Sequence, residues 1–492
     1  MINPDSSGKK KNFVLGFMLI MSLAMSTSFV WGAEVKITAE GDAGINDLFG
    51  FSVGISGDWA IVGARGEGDN GAAYFFKRYG DSWTRKDVEY GIGTGCNYDQ
   101  FGNSVSICGD YAIVGAPYDE WWTGSHTRET GTAKIFQRVG DSWILFQTLT
   151  PYLQDEYMQW YGESVGIDGD RVIVGGPAYS TQHPDPYYFC CGIAYIYHPN
   201  GGSYRILNPD PGANYEYFGH SVSISGDYAI VGAYGDNNDT GIAYIFHYDN
   251  GNWTQQATLT AGDYASEDDY FGYAVSISGD YAVVGAYNDM AQGSAFIFHR
   301  DGELWPRQTR VVADDGYSCD LFGVSVSISG DNLLVGAANE HNDNGYGAGS
   351  AYLFKREGEN WNQQQKYIAA DGESYDDFGY SVSINDNKFI VGAPEFSGGS
   401  DNGGYAYIYD LPEAPLPMID DLAIHYDNVN DLITLTWTYL EDYDYFKIYK
   451  SIDPDDFSDA IIDISFSCNY VESQVFIATE PIYFYQVTAV RE

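Results

Sequence analysis

One block recurs seven times along the 492 residues of this chain. Its clearest copy runs from Phe218 to Ala233 as Phe-Gly-His-Ser-Val-Ser-Ile-Ser-Gly-Asp-Tyr-Ala-Ile-Val-Gly-Ala. The glycine at the second position of each copy falls at Gly50, Gly102, Gly162, Gly219, Gly272, Gly323 and Gly379, at spacings of 52, 60, 57, 53, 51 and 56 residues. A period of this size means one supersecondary unit per copy, stacked so that each buries its apolar face against a neighbour.

Each unit reads as four strands. Ser221 to Ile224 alternates small polar with apolar residues, the pattern of a half-buried strand. Ser225-Gly226-Asp227 has the composition of a tight hairpin turn, and Tyr228 to Val231 supplies the second strand. After a loop, Gly241 to Phe246 is a third strand of β-branched and aromatic residues. Asp249-Asn250-Gly251 turns the chain, and Trp253 to Thr260 is the fourth. Four strands per unit and seven units predict an all-β fold, a seven-bladed β-propeller over residues 34–410. The seventh copy lacks a fourth strand. At the other end, Val35 to Asp42 aligns in register with Ala257 to Asp263. The N-terminal strand is therefore expected to complete the last blade and close the ring, which removes an exposed edge.

The Phe-Gly opening followed by Val-Gly-Ala, or Val-Gly-Ala-Pro at Val114–Pro117 and Val391–Pro394, resembles the FG-GAP repeat of the integrin α-subunit propeller and of many secreted bacterial proteins. Integrin-type repeats often carry an Asp-x-Asp-x-Asp-Gly calcium loop between the first two strands. Here that place holds only Ser-Gly-Asp, Cys108-Gly109-Asp110 or Asn385-Asp386-Asn387, too few residues for the six to eight oxygens calcium takes. The resemblance is thus to a short bacterial variant, and the family's calcium sites do not carry over.

The ends of the chain differ from the repeats. Lys9-Lys10-Lys11 precedes the apolar run Phe13 to Val30, and Gly32 or Ala33 offers a small residue for cleavage, so residues 1–33 read as a signal peptide. The run is close to the shortest that spans a bilayer, but Ser22, Ser26, Thr27 and Ser28 dilute it, and no other segment is apolar enough to span. Residues 411–416 read as a proline-containing linker. From 417 to 492 the strands Leu432–Trp437, Tyr445–Lys450 and Tyr483–Val490 resemble a small fibronectin type III β-sandwich, with Trp437 as its core tryptophan and Tyr483 as its corner tyrosine. The sequence ends directly after that last strand, so the sandwich is expected to have a short or missing final strand.

Acidic residues number 69 against 24 basic, a net charge of −45. Such a field opposes nucleic acids and anionic lipids. The six cysteines show no metal-ligand spacing. No Gly-x-Ser-x-Gly elbow, zinc histidine pair or phosphate loop is present. His198, His247 and His299 hold equivalent places after third strands, which marks them as structural. The acids before Phe-Gly (Asp47, Asp99, Glu216, Asp269, Asp320 and Asp376) recur in nearly every blade, so their expected role is to accept backbone N–H bonds in a tight connection.

Alternating strand direction places the loops between second and third strands on one face with the connections between blades. Those loops are longest in blades 2 and 3, over 117–130 and 177–191. They and the connection between them carry Tyr118, Trp121, Trp122, His126, Trp160, His183, Tyr187 and Tyr188, a density of aromatics suited to stacking on sugars or gripping a protein, and equally to packing on one another. No cofactor is expected. For calcium the weak candidates are Asp236, Asn238 and Asp239, which lack a full ligand set by themselves. The function expected is that of a secreted or surface-exposed protein that binds an extracellular protein or polysaccharide without catalysis. The alternatives are a carbohydrate-active enzyme or carbohydrate-binding accessory, and a structural surface-layer component.

Overall fold

A computed structural model describes residues 34–39, 44, 46–91, 98–122, 127–151, 160–177, 192–198, 205–207, 217–395 and 403–411, together with six strand backbones between 423 and 490. Seven four-stranded antiparallel sheets follow one another along the chain. Blade 4 is representative: Ser221–Ser225, Tyr228–Ala233, Ile242–Asp249 and Asn252–Leu259 pair in that order from the inside outwards. In blade 7 the first three strands are Ser381–Asn385, Lys388–Ala393 and Tyr405–Asp410, and the fourth is Val35–Ile37 from the N-terminal end. Val35 pairs with Ile408 and Ile37 with Ala406, so the ring closes as the repeat phase required.

The core lies between blades rather than within them. Seven apolar clusters each draw residues from two neighbouring sheets. The closing cluster joins Ile37, Ile390 and Ile408 of blade 7 to Phe49, Val53 and Tyr74 of blade 1. The aromatic residue before each glycine is fully buried: Phe218, for example, meets Tyr244 and Phe246 edge-on at 5.6 and 6.2 Å. Stability is then a sum of nearest-neighbour interfaces.

The glycines explain the spacing of the motif. A Cβ on Gly232, in Val-Gly-Ala of blade 4, would lie 2.0 Å from the carbonyl oxygen of Gly272, in Phe-Gly of blade 5. The same contact repeats around the whole ring, ending with Gly392 against the Gly50 oxygen. The blades pack backbone on backbone there, and no side chain fits.

Serines stitch the same seam. The first serine of Ser-Val-Ser-Ile-Ser donates its hydroxyl to the next blade's Phe-Gly carbonyl, as in Ser221 to Gly272 (2.8 Å) and, closing the ring, Ser381 to Gly50 (2.8 Å). Blade 5 has Ala274 in this place. The last residue of each first strand caps the neighbouring hairpin turn. Ser225 accepts from Gly279 N (3.2 Å), Asp168 from Gly226 N (2.6 Å) and the Cys108 thiol sulfur from Gly169 N (3.4 Å). Cys108 is thus a free thiol in a serine's place, and Cys96 lies outside the described residues.

In the C-terminal region the strand backbones form two three-stranded sheets. One holds Ala423–Asp427, Leu432–Thr436 and Gln474–Ile477; the other holds Ile461–Ile462, Tyr445–Ser451 and Phe484–Val490. Trp437, Tyr483 and the 1–33 leader lie outside the described residues. Among the described residues no helix is long and apolar enough to cross a membrane.

Two substitutions separate interface packing from turn conformation. Gly232→Ala forces a methyl onto the Gly272 carbonyl and is expected to cost roughly 3 kcal/mol or more. Gly226→Ala, at φ +55 with nothing within 4 Å of its Cβ, is expected to cost only about 1–2 kcal/mol. Equal losses in chemical denaturation would refute the interlock. Conversely, Ala274→Ser gives blade 5 the hydroxyl that blades 4 and 6 use, with an expected gain of about 1 kcal/mol by the same measurement.

Candidate functional site

Because the first strands line the axis, a residue at one position of the repeat forms a ring of seven. Most such rings are uniform. The ring between the glycine of Phe-Gly and the following serine is not: it reads Phe51, Asn103, Glu163, His220, Tyr273, Val324 and Tyr380. Neighbours around it touch. Phe51 meets Tyr380 at 5.0 Å between ring centroids and His220 meets Tyr273 at 4.7 Å, while the Asn103 amide donates to the Glu163 backbone carbonyl at 3.0 Å.

A second ring interleaves with the first, built from the residue after Gly-Ala. Arg65 sits between blades 1 and 2. Its guanidinium lies 3.7 Å from the Phe51 ring centroid and donates to Asn103 Oδ1 at 3.0 Å. Tyr234 sits likewise between His220 (4.6 Å) and Tyr273 (5.5 Å). Tyr287 meets Tyr273 edge-on at 4.7 Å.

A third contribution comes from the residue just before Phe-Gly. Leu48, Gln100, Trp160, Tyr217, Tyr270, Leu321 and Asp377 all adopt φ between 47° and 61°, the left-handed region that non-glycine residues rarely occupy. This turn sets the side chains of Tyr217 and Tyr270 over their own blades. In blades 4 and 5 it lands on the second ring: Tyr217 stacks on Tyr234 (4.7 Å, 8°) and Tyr270 on Tyr287 (4.9 Å, 4°). Together with His220 and Tyr273 these four tyrosines make one continuous aromatic wall across blades 4 and 5. Arg65, Asn103 and Glu163 stand on blades 1 to 3.

The electrostatics follow from confinement. Burial pushes the His220 imidazole down to about 4, so it is neutral at physiological pH. Burial raises the Glu163 carboxyl above its usual range, with Arg65 and then Asn103 partly offsetting it. Tyr273 and Tyr380 are raised first by burial; Glu163 adds to both and Arg65 opposes, although these tyrosines belong to blades 5 and 7. The charge pair is therefore felt across the axis. The phenols stay protonated, and the ionisable side chains beside them include Arg65, Glu163 and Asp377.

Of the residues singled out from sequence, Tyr118 and Trp160 meet at 6.1 Å, joining the blade 2 loop to the Phe-Gly turn of blade 3. The blade 2 loop forms a small hairpin in which Trp121 pairs with Arg128 and Trp122 with Thr127. His126, His183, Tyr187 and Tyr188 lie outside the described residues. Asp236 is buried and its carboxylate accepts the Tyr244 hydroxyl at 3.4 Å, whereas the Asn238 amide donates to Glu267 at 3.3 Å; the three calcium candidates do not share a focus. Among the described residues no three His, Cys, Asp or Glu side chains gather closely enough to hold a metal ion. Asp47, Asp269, Asp320 and Asp376 accept a backbone N–H bond from three residues upstream, at 2.6 Å for Asp269 and 2.7 Å for Asp376, whereas Glu216 lies outside the described residues. His247 and His299 stack on Tyr228 and Tyr281 at 4.5 and 4.4 Å, so both are packing residues. Trp160 apart, the axial residues carry no loop signal because they sit inside the repeat. Their signal was the one column that varies between an unvarying glycine and a nearly unvarying serine.

A family model described as FG-GAP repeat matches residues 31–76, 95–136, 205–246, 253–298, 305–354 and 361–409, more than half of the chain. The first match starts at the strand that closes blade 7 and ends in the third strand of blade 1, so the repeat straddles two blades. Blade 3 forms without a match over its first three strands, where Tyr161, Gly166 and Gly176 replace the usual Phe, Ser and Ala. No curated protein matches the chain.

The depressed His220 makes a signed prediction. The unfolded imidazole takes a proton near 6.5, whereas the folded one resists until about 4. Stability contributed by neutral His220 is therefore present above about 6.5 and lost as the pH falls towards 4. Relative to His220→Gln, the wild-type protein is expected to lose melting temperature between those values. A difference that stays constant with pH would show that the imidazole is not confined.

Proposed function

The chain belongs to the FG-GAP repeat family, and on that premise we propose that it is a secreted or cell-surface protein whose propeller binds a protein or glycan without catalysis. The binding surface is the face carrying the Phe-Gly turns. The observation that carries this reading is the concentration of chemistry at the axis. Six rings form a wall on blades 4 and 5, opposite Arg65 and Glu163, at positions where the scaffold itself asks for no particular residue. Aromatic groups held rigidly beside a few polar ones are what ligand recognition uses. From the alternation of strand direction, the long loops of blades 2 and 3, with Trp121, Trp122, Tyr187 and Tyr188, are expected on the same face, where they would widen the contact.

A glycosidase would need two carboxylates flanking the scissile bond. The first ring carries one, Glu163. For the C-terminal region, the division of its strands supports a fibronectin type III-like sandwich: the first, second and fifth form one sheet, and the third, fourth and sixth the other. It would act as a spacer for the propeller.

The test is capture. The full chain, immobilised, is screened against arrays of glycans and extracellular proteins. The screen is repeated with Tyr287→Ala and with Trp121, Trp122, Tyr187 and Tyr188 changed together to Ala. Retention of a ligand by the wild type and its loss in one of these variants, at unchanged melting temperature, is expected. Retention untouched by either change would remove this face from the function, and release of cleaved product would replace binding by catalysis.

A further inference from the structure

We infer that the outer strand of blade 2 is an edge through which two copies of this chain pair, forming a weak, reversible dimer. The strand lies on the circumference of the propeller, so the inference does not depend on the Phe-Gly face. Ser142–Leu149 ends its sheet, and among the described residues no strand pairs with its outer side. It reads Ser-Trp-Ile-Leu-Phe-Gln-Thr-Leu, with neither a charge nor a proline. Ile144, Leu145 and Phe146 are 53, 47 and 41% exposed, and Val139 in the preceding strand is 59% exposed.

The other blades show what these positions ordinarily do. Leu145 pairs with Phe136; at the same register stand Arg85 in blade 1, Gln255 in blade 4, Arg307 in blade 5 and Gln363 in blade 6. Three of these tie their strand to the preceding blade. Arg85 donates to the Ala39 carbonyl at 2.6 Å, Arg307 donates to the Ala261 carbonyl, and Gln363 accepts the Asp314 N–H at 3.1 Å. The next residue is a bulge in all five blades, and it ties the strand to the following blade. There Gln256 accepts the Trp305 indole N–H at 2.8 Å, and Gln308 that of Trp361 at 3.1 Å. Leu145 and Phe146 can make neither bond. Phe146 lies edge-on to Tyr111 at 5.8 Å and still remains exposed. Where the scaffold uses polar groups, blade 2 turns three consecutive apolar side chains to solvent. A local departure of this kind, with no gain inside the chain, marks a functional position.

A second copy suits this edge for three reasons. An antiparallel edge pairs with its own copy about a two-fold axis and needs no second surface. Neighbouring residues of a strand point to opposite faces, so the apolar surface of Ile144 and Leu145 wraps the edge, and one added strand covers both sides. Edges are ordinarily guarded by charge or proline, as Arg85 and Lys86 guard blade 1 and Pro306 and Arg307 guard blade 5; this one is not. Charge decides where two such chains can meet. Copies that each carry −45 repel. Beside this strand, however, the charges are matched within the chain, Arg138 with Asp110 and Asp141 with Lys77 (2.6 Å). Area decides how tightly they meet. Four side chains about half exposed leave on the order of 300 Å² of apolar surface, the size of patch that marks an interaction. Two copies then bury on the order of 600 Å² of it besides their strand backbones, short of the roughly 1,200 Å² of a stable interface. The dimer is therefore weak.

Sedimentation equilibrium of the full chain tests the pairing. Monomer and dimer are expected, with Kd on the order of 100 µM, the range of a small interface. The Kd should fall about fivefold as salt rises from about 0.05 to about 0.5 M, because screening removes the repulsion between like-charged copies. Ile144→Thr, Leu145→Arg and Phe146→Gln, made together, give blade 2 the residues that stand at Thr254, Arg307 and Gln308 in other blades. This variant should stay monomeric, with its melting temperature within a few degrees of the wild type. In the wild type, amides of residues 142–149 should exchange at least about fivefold more slowly above the Kd than in dilute solution, as expected when a strand gains a partner. Should the triple variant fail to fold, this exchange measurement on the wild type decides. The inference is overturned if the chain stays monomeric, if the dimer survives the triple change in a folded protein, or if protection on dimerisation falls elsewhere. A monomer whose outer strand is already protected would mean that another part of the chain covers it, which also overturns the pairing of copies.

Discussion

Each blade meets the next through a backbone-on-backbone contact that leaves no room for a side chain. The carbonyl of Gly272 sits where a Cβ of Gly232 would be, 2.0 Å away, and the same arrangement returns at every interface up to Gly392 against Gly50. The remaining interblade features depend on this spacing. The serine hydroxyls reach the neighbouring Phe-Gly carbonyls at 2.8–2.9 Å because the sheets are held this near. The buried Phe218 and its counterparts fill the wedge that opens away from the axis. The contact is collective, since each sheet is held between two others, and the last interface needs Val35–Ile37 to bring Ile37 into the core shared by blades 7 and 1.

The seam also leaves certain positions free. A residue between the Phe-Gly glycine and the following serine points to the axis and takes no part in the glycine contact or in the serine bonds. The residue after Gly-Ala is similarly released. In blades 6 and 7 these places hold Val324, Ala338, Tyr380 and Pro394, whereas in blades 4 and 5 they hold His220, Tyr234, Tyr273 and Tyr287. The scaffold tolerates all of them, so their concentration on one side is a property of the site. The strained turns before Phe-Gly, with φ near +60 on residues as bulky as Tyr217 and Tyr270, serve the same arrangement by stacking those rings on the wall.

Much of the fold was legible because repetition turns weak local signals into a strong one. Ser-Gly-Asp between two apolar runs is a modest hairpin cue in one copy, and the copies together leave little alternative to four-stranded blades. The structural role of the acids before Phe-Gly was legible for the same reason, and Asp269 and Asp376 accept backbone N–H bonds as that role requires. Of the axial site only Trp160 was legible, because the other positions lie inside the repeat, where no loop length marks them. Arg65 and Asn103 are 38 residues apart and their hydrogen bond exists only because blades 1 and 2 are neighbours.

The sequence by itself determined the unit, the number of units and the means of closure. These are set by local hydrogen bonding, by the alternation of apolar residues and by a period that needs no knowledge of which blades face each other. Only the tertiary structure decided which side chains meet at the axis. Phe51 meets Tyr380 at 5.0 Å across more than 300 residues of sequence, and no local rule specifies that encounter. It follows from bending seven similar sheets into a closed ring, which brings distant copies of one position around a common centre.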